Sequence, residues 1–333
     1  MPKEGLSYAR TDSGLTLPVI DVTHPAFKIE LSAEQQKQLM AEYVKNGQPL
    51  GWLPLFIRKP LLNFLLKKSV LGQRLRRAEG TYLDAESTYL LKLGPDNLEG
   101  VSNEEIDKKV AAALPTFMVR LRTQDLAELM AESLGPALAG EPGVPLSMIS
   151  IGGGPAIDCL NAVRLLQKDR PEVLRGRAVI IEVLDLDSAG PAFGARCVAE
   201  WLKPGAPLHG VDVTFNHTKY DWSRTEPLRE VLERAQQSGA VAIVSSEGAL
   251  FEYGSDAEIV SNLECVRASS EPGMVRVVGS VTRNDEATKV LHDGTSAKTK
   301  PRGLATFTAL AERAGWKVEK AVERAFSDQV RLK

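Results

Sequence analysis

The chain has 333 residues, a formal net charge of −2, 43% hydrophobic and 25% charged residues. That balance excludes disordered and collagen-like chains, and it lacks the basic excess of a protein that coats nucleic acid, so no nucleic-acid partner is expected. The three cysteines, Cys159, Cys197 and Cys265, stand at wide, unpatterned spacing, which speaks against a metal knuckle or a secreted disulfide framework and for a reducing, cytoplasmic setting.

In chain order, "MPKEGLSYARTDSG" has no apolar signal-like core, and no run reaches the roughly 18 apolar residues of a membrane-spanning helix. "LTLPVIDVTHPAF" reads as an extended entry, because its two prolines oppose helix. Residues from about 32 to 140 read mostly as helices. "SAEQQKQLMAEYVKNG" is expected to be capped by Ser32 and stopped at Gly47. Residues 50–78 carry a leucine-rich face with Arg58, Lys59, Lys67, Lys68, Arg74, Arg76 and Arg77. Such a segment suits either an anionic membrane surface or a lid packed on a neighbouring domain, and burial of the apolar face is the favoured reading. In "DLAELMAESLG", Leu126, Leu129, Met130 and Leu134 recur at helical spacing up to a glycine stop. "EPGVP", residues 141–145, divides a helical cover region, 1–144, from a second domain, 145–333.

From Pro145 the rhythm becomes short apolar runs alternating with helical stretches. The runs are "LSMISI", "AVIIEVL", "VDVTF", "AVAIVSS", "MVRVVGSVT", "WKVEKAV" and "FSDQVRL". Helices are expected at about 156–169, 189–202, 226–237, 256–268 and 303–314. Alternation of this kind builds a mostly parallel α/β sheet, Rossmann-like and seven-stranded here. The last two runs are too close for a parallel crossover, so they must form an antiparallel C-terminal hairpin.

"SMISIGGGPAIDCLN", residues 147–161, places Gly152, Gly153, Gly154 and Pro155 between the first strand and its helix. In a doubly wound sheet this turn meets the ligand, and glycine lets backbone come close. A dinucleotide site would need glycine or alanine where Ile157 stands.

On these residues the second domain resembles a class I S-adenosylmethionine-dependent methyltransferase, a family with seven strands, the last antiparallel, and an acidic-x-G-x-G-x-G turn. Here the turn runs from Ser150 to Ala156, with Ser150 replacing the acid and Ala156 the last glycine. The resemblance implies S-adenosylmethionine as cofactor, with Gly152, Gly153, Gly154 and Pro155 at the turn and Asp158 offered to the methionine ammonium. It implies a ribose-binding acid after the second strand, Asp185 or Asp187, with Asp185 preferred because it directly follows the apolar run; a carboxylate accepts two hydrogen bonds from a vicinal diol. Asp221 and Trp222 fall where the adenine is met, and Ser245, Glu247 and Gly248 fall where cofactor meets acceptor. Phe251 and Tyr253 join Glu247 as substrate-binding candidates, and His217 and Glu247 are the candidate general bases. No metal is expected. The implied activity is methyl transfer to an oxygen or nitrogen of a small molecule, with a homo-oligomer left open. Two other readings are a nicotinamide-dependent oxidoreductase and a non-catalytic protein of the methyltransferase fold.

Overall fold

The computed structural model describes residues 3–46, 67–77, 83–102, 105–271, 273–294 and 299–333. Most of the 50–78 segment therefore lies outside the described residues. The chain opens with a short antiparallel hairpin, β1 (Tyr8–Arg10) and β2 (Thr16–Pro18), of which only β2 falls in the stretch expected to be extended entry. The helices α1 (Ala33–Asn46), α2 (Val70–Arg77), α3 (Ala85–Leu93), α4 (Glu105–Ala112) and α5 (Leu114–Gly140) follow. The sheet region then runs β3 (Leu146–Ile151), α6 (Ile157–Asp169), β4 (Ala178–Asp185), α7 (Ala189–Trp201), β5 (Asp212–Lys219), α8 (Glu226–Gln237), β6 (Val241–Ser246), α9 (Leu250–Tyr253), α10 (Asp256–Ala268), β7 (Val275–Thr282), α11 (Glu286–Gly294), α12 (Gly303–Arg313), β8 (Val318–Glu323) and β9 (Ser327–Leu332).

The seven-stranded sheet has the order β5-β4-β3-β6-β7-β9-β8. Strands β3 to β7 pair in parallel, and β9 runs antiparallel to both β7 and β8. The expected hairpin is present, with its second strand inserted between β7 and β8. Side chains alternate between two cores, as the two-residue period of a strand requires. Leu146, Met148, Val179, Ile181, Val183 and Ile243 join one core with residues of α5, α6 and α7, whereas Ile149, Ile151, Leu184, Val244 and Val277 join the other with α8, α10 and α12.

Three local expectations are corrected. The helix expected to stop at Gly135 continues through Gly135 and Pro136 to Gly140. Burial decides this: α5 packs its residues against the sheet and α6, and the core overrides the local cost of proline. Beyond its end, Arg177 Nη2 donates to the carbonyls of Leu138 and Glu141 at 3.0 Å each, supplying partners that a helix terminus lacks. The third strand of the sheet extends from "VDVTF" through His217 to Lys219, because it is an edge strand whose polar residues alternate toward solvent. The helix α11, polar enough in sequence to pass for a loop, was not among those expected.

The N-terminal strap is fixed to the sheet region by amides. Buried Asn161 of α6 accepts from the Val22 amide and donates to the Ile20 carbonyl, both at 2.8 Å. The Tyr89 hydroxyl of α3 accepts from the Ile20 amide at 3.0 Å and donates to the Pro18 carbonyl at 2.8 Å.

At the carboxyl end of β7, Arg283 donates to Asp328 at 3.0 Å and to Asp285 at 2.9 Å. Burial pushes the Asp328 carboxyl up from 3.8 to about 6, against the pull of Arg283. The folded chain therefore binds this proton more tightly than the unfolded chain does. The contribution of Asp328 to stability is full below about pH 4 and declines as pH rises through about 6. Denaturant unfolding of Asp328→Asn across pH 4 to 7 is expected to lack that decline, on the order of 1 kcal/mol after allowance for solvent screening. Parallel pH profiles for the variant and the parent would refute this assignment.

Candidate active site

The turn after β3 is built on left-handed backbone. Gly152 and Gly154 have φ of 63° and 53°, and Ala156 has 49°, alone among the described non-glycine residues in that region. The glycines are also demanded sterically, by the chain itself. A Cβ at Gly152 would stand 2.7 Å from Ala249 Cβ and 3.3 Å from the Trp222 ring, and one at Gly154 would stand 3.1 Å from Ala85 Cβ. A Cβ at Gly153 would collide with the Ser150 hydroxyl. Helix α7 presses on the same turn, since a Cβ at Gly194 would lie 2.5 Å from the Pro155 carbonyl oxygen. The turn is thus clamped between α3, α7 and the β6–α9 loop, a close approach of the chain itself where sequence reasoning had preferred that of a ligand.

Asp185 is the hub of the strand ends. Its Oδ2 accepts from the Gly154 amide at 2.8 Å, its Oδ1 from the Asp187 amide at 2.9 Å, and its carbonyl from the Tyr220 amide at 3.1 Å. Burial raises its carboxyl above the ordinary range, opposed by these two side-chain hydrogen bonds. Beside it Leu186 is 59% exposed, the most open of the three exposed large apolar side chains among the described residues. Trp222 is half-buried, with its ring over Gly152.

A second constellation lies at the carboxyl end of β6. Arg122 of α5 donates through Nε to Glu247 at 2.5 Å and through Nη1 to both oxygens of Glu252, at 3.1 and 3.3 Å. Lys92 of α3 pairs with the other oxygen of Glu247. All four side chains are buried or nearly so, at 8% exposure for Lys92, 12% for Arg122, 4% for Glu247 and 5% for Glu252. The two cations outweigh the desolvation of Glu247 and hold its carboxyl at about 2. Gly248, at φ 66°, is needed because a Cβ would strike the Arg122 guanidinium. Asp158, in the first turn of α6, accepts from the Ser245 hydroxyl, and burial together with the nearby Glu247 charge raises its carboxyl.

The parallel order with an inserted antiparallel last strand, the glycine turn after β3 and the acid closing β4 decide the architecture. This is the class I methyltransferase fold. Neither a family model nor a curated protein matches the sequence. Solved structures with this fold include the magnesium protoporphyrin IX methyltransferase ChlM of Synechocystis PCC 6803 with bound SAH, at 14% identity over 66% of this chain and 87% of that one, TM-score 0.44. The mitomycin 7-O-methyltransferase MmcR is 14% identical over 82% of this chain and 68% of that one, TM-score 0.42. A SAM-dependent methyltransferase of Leishmania major is 12% identical over 100% of this chain and 98% of that one, TM-score 0.37.

Within the methyltransferase fold, the expected site residues divide. Gly152, Gly153, Gly154, Pro155, Asp185 and Trp222 come together at one end of the sheet, with Asp158, Ser245 and Glu247 beside them. Asp187 is exposed and accepts from the Ala189 amide, at the start of α7, at 3.2 Å. Asp221 is exposed and accepts from the Ser223 amide at 3.0 Å, which lowers its carboxyl.

The candidate bases and Phe251 fare differently. His217 sits exposed on edge strand β5, 3.0 Å from the Asp185 carbonyl, with β4 and β3 between it and Glu247. Glu247, held at about 2 by two cations, is a weak base at neutral pH and acts as an ionic anchor. Phe251 is core: 2% exposed, it packs on Phe307 at 4.8 Å between centroids, so it does not line an acceptor pocket. Tyr253 is half-buried in the same short helix, α9. Glu252, grouped in sequence with Phe251 and Tyr253 as able to line the acceptor pocket, instead pairs with Arg122. Lys92, Arg122 and Leu186 were missed, and the one sequence signal for the two cations was their place inside the apolar runs "YLLKLG" and "FMVRLR". Among the described residues no group of three or more His, Cys, Asp or Glu is placed to hold a metal ion, and no helix is long and apolar enough to cross a membrane.

Proposed function

We propose that this chain is an S-adenosylmethionine-dependent methyltransferase acting on an oxygen or nitrogen of a small molecule. The observation that carries the reading is Asp185. It closes the strand next to the glycine turn, is fastened to that turn through Gly154, and is flanked by the exposed apolar Leu186. A half-buried carboxylate with lone pairs remaining suits a ribose diol, and an apolar side chain beside it suits the flat face of a purine. The residues present fit the cofactor, which supplies an electrophilic methyl on sulfur when bound. The chain's part is orientation: Asp185 and the turn fix the adenosyl end, and α3 and α5 cover the reacting end and exclude water. Buried Ile157, at the position where a dinucleotide turn takes a small residue, argues against the nicotinamide alternative.

Calorimetric titration with S-adenosylmethionine, S-adenosylhomocysteine and NADH tests the reading. Micromolar binding of both adenosyl ligands is expected, weakened by about 2 kcal/mol, roughly 30-fold, in Asp185→Ala as two hydrogen bonds to a charged group are lost. Binding of NADH alone would replace the proposal with an oxidoreductase. Silence with all three would leave a non-catalytic protein of this fold.

A further inference from the structure

Asn262 is almost wholly buried, on a helix, α10, whose Ile259, Leu263 and Val266 belong to the apolar core. An amide in such a place is costly unless its polar groups are partnered. Here each is. Its Nδ2 donates to the Glu258 carbonyl at 2.8 Å and to the Trp222 carbonyl at 2.7 Å, and its Oδ1 accepts from the Tyr220 hydroxyl at 2.5 Å. Carbonyls only accept, and the hydroxyl is the one donor of the three partners, so the amide has a single orientation. The bond to Glu258 stays within α10. The other two leave it, and both go to one short stretch, residues 220–222, in the connection between β5 and α8.

That stretch lies against the glycine turn. The Tyr220 amide donates to the Asp185 carbonyl at 3.1 Å, and Gly152, beside the Trp222 ring, donates to the Leu184 carbonyl at 2.7 Å. The indole therefore stands next to the strand end that carries Asp185, within reach of a base attached to a ribose that Asp185 holds, and its flat face suits such a base. One turn further along α10, Cys265 Sγ donates to the Thr225 carbonyl at 3.6 Å, so the same helix holds the β5–α8 connection at a second point. A buried polar network with every member satisfied fixes one arrangement, where apolar contacts alone would allow several.

We propose that Asn262 is a positioning residue of the cofactor site, setting the place of Trp222 over the glycine turn. Tyr220, already fastened to Asp185, is the strut from which that place is measured. The inference rests on the methyltransferase reading. It gives α10, which contributes no side chain to the crevice, a part in holding the cofactor's base.

The test is a thermodynamic cycle, read as the affinity of S-adenosylhomocysteine for the full chain, Trp222→Ala, Asn262→Leu and the double variant, well below their melting temperatures. Each single change is expected to weaken binding about tenfold. If Asn262 acts through Trp222, the double variant binds within about twofold of Trp222→Ala alone. Losses that multiply to about a hundredfold would mean that Asn262 serves the fold at large, and would overturn the proposal. Binding within twofold of the parent in either single variant would overturn it as well. Should Asn262→Leu fail to fold, Tyr220→Phe, which removes one hydroxyl, takes its place in the cycle, with a loss of about fivefold expected and again absorbed by Trp222→Ala. Failure of the parent chain to bind S-adenosylhomocysteine would sink the methyltransferase reading and this inference with it, an outcome distinct from binding that ignores Asn262.

Discussion

Replacing Glu247 with alanine is expected to be among the most damaging single changes in this chain. It leaves Lys92 facing an empty space and removes one of the two acids that neutralise Arg122, with both cations almost out of reach of water. Breaking a buried pair from one side costs roughly 3–5 kcal/mol, far more than the intact pair contributes relative to apolar side chains. For a chain of this size that corresponds to a fall in melting temperature on the order of 10 °C. The pH dependence identifies the cause. Because the folded state holds the Glu247 carboxyl at about 2 against an ordinary 4.5, its stabilisation is present above about pH 4.5 and drains away as pH falls toward 2. Melting curves of variant and parent should lie far apart at pH 7 and converge in acid. Equal separation at both ends would show that something other than the charge was lost.

Gly194→Ala is the second change with a large expected effect, and two opposed terms decide its sign. Alanine in the middle of a helix is favoured over glycine by about 1 kcal/mol. Here its methyl would enter space held by the Pro155 carbonyl oxygen at 2.5 Å, the Phe215 ring at 2.7 Å and Pro155 Cα at 2.9 Å. Two of these are backbone atoms of the glycine turn, which yield only by moving α7 away from it. Overpacking of this kind costs about 1–3 kcal/mol or more, so the steric term wins. Chemical denaturation should show a net loss of roughly 2 kcal/mol, whereas Gly140→Ala, where a Cβ meets nothing within 4 Å, stays within about 0.5 kcal/mol of the parent. Similar values for the two variants would mean that α7 is not pressed on the turn.

What could be read in advance followed from local pattern. The apolar runs from "LSMISI" onward announced seven strands because each strand is stabilised by its own side chains, and the three-residue gap before "FSDQVRL" forced the closing hairpin. Asp185 was legible because it directly follows such a run. Lys92 and Arg122 were not, since their roles depend on Glu247, which lies 155 and 125 residues further along the chain. Nothing in a local period reports a partnership at that separation. Phe251 was misread for a related reason: position just after β6 favours the crevice, but its ring turns into the space left by Gly279 and packs under the sheet. The passage of α5 through Gly135 and Pro136 was hidden because punctuation residues are strong only where the core does not overrule them.

The place of β9 has a consequence for the order of assembly. A chain made from its N-terminus presents β8 before β9, but β8 has no neighbour in the sheet other than β9. The sheet's far edge therefore stays at β7 until the final strand is laid down, and β8 is then added from outside. Until then β7 offers an unpaired edge of mainly apolar residues, Val275 to Thr282, as a template for a second molecule. A nascent or C-terminally trimmed chain would carry its aggregation hazard at that edge, and addition of β9 as a separate peptide strand is the complement that fits it.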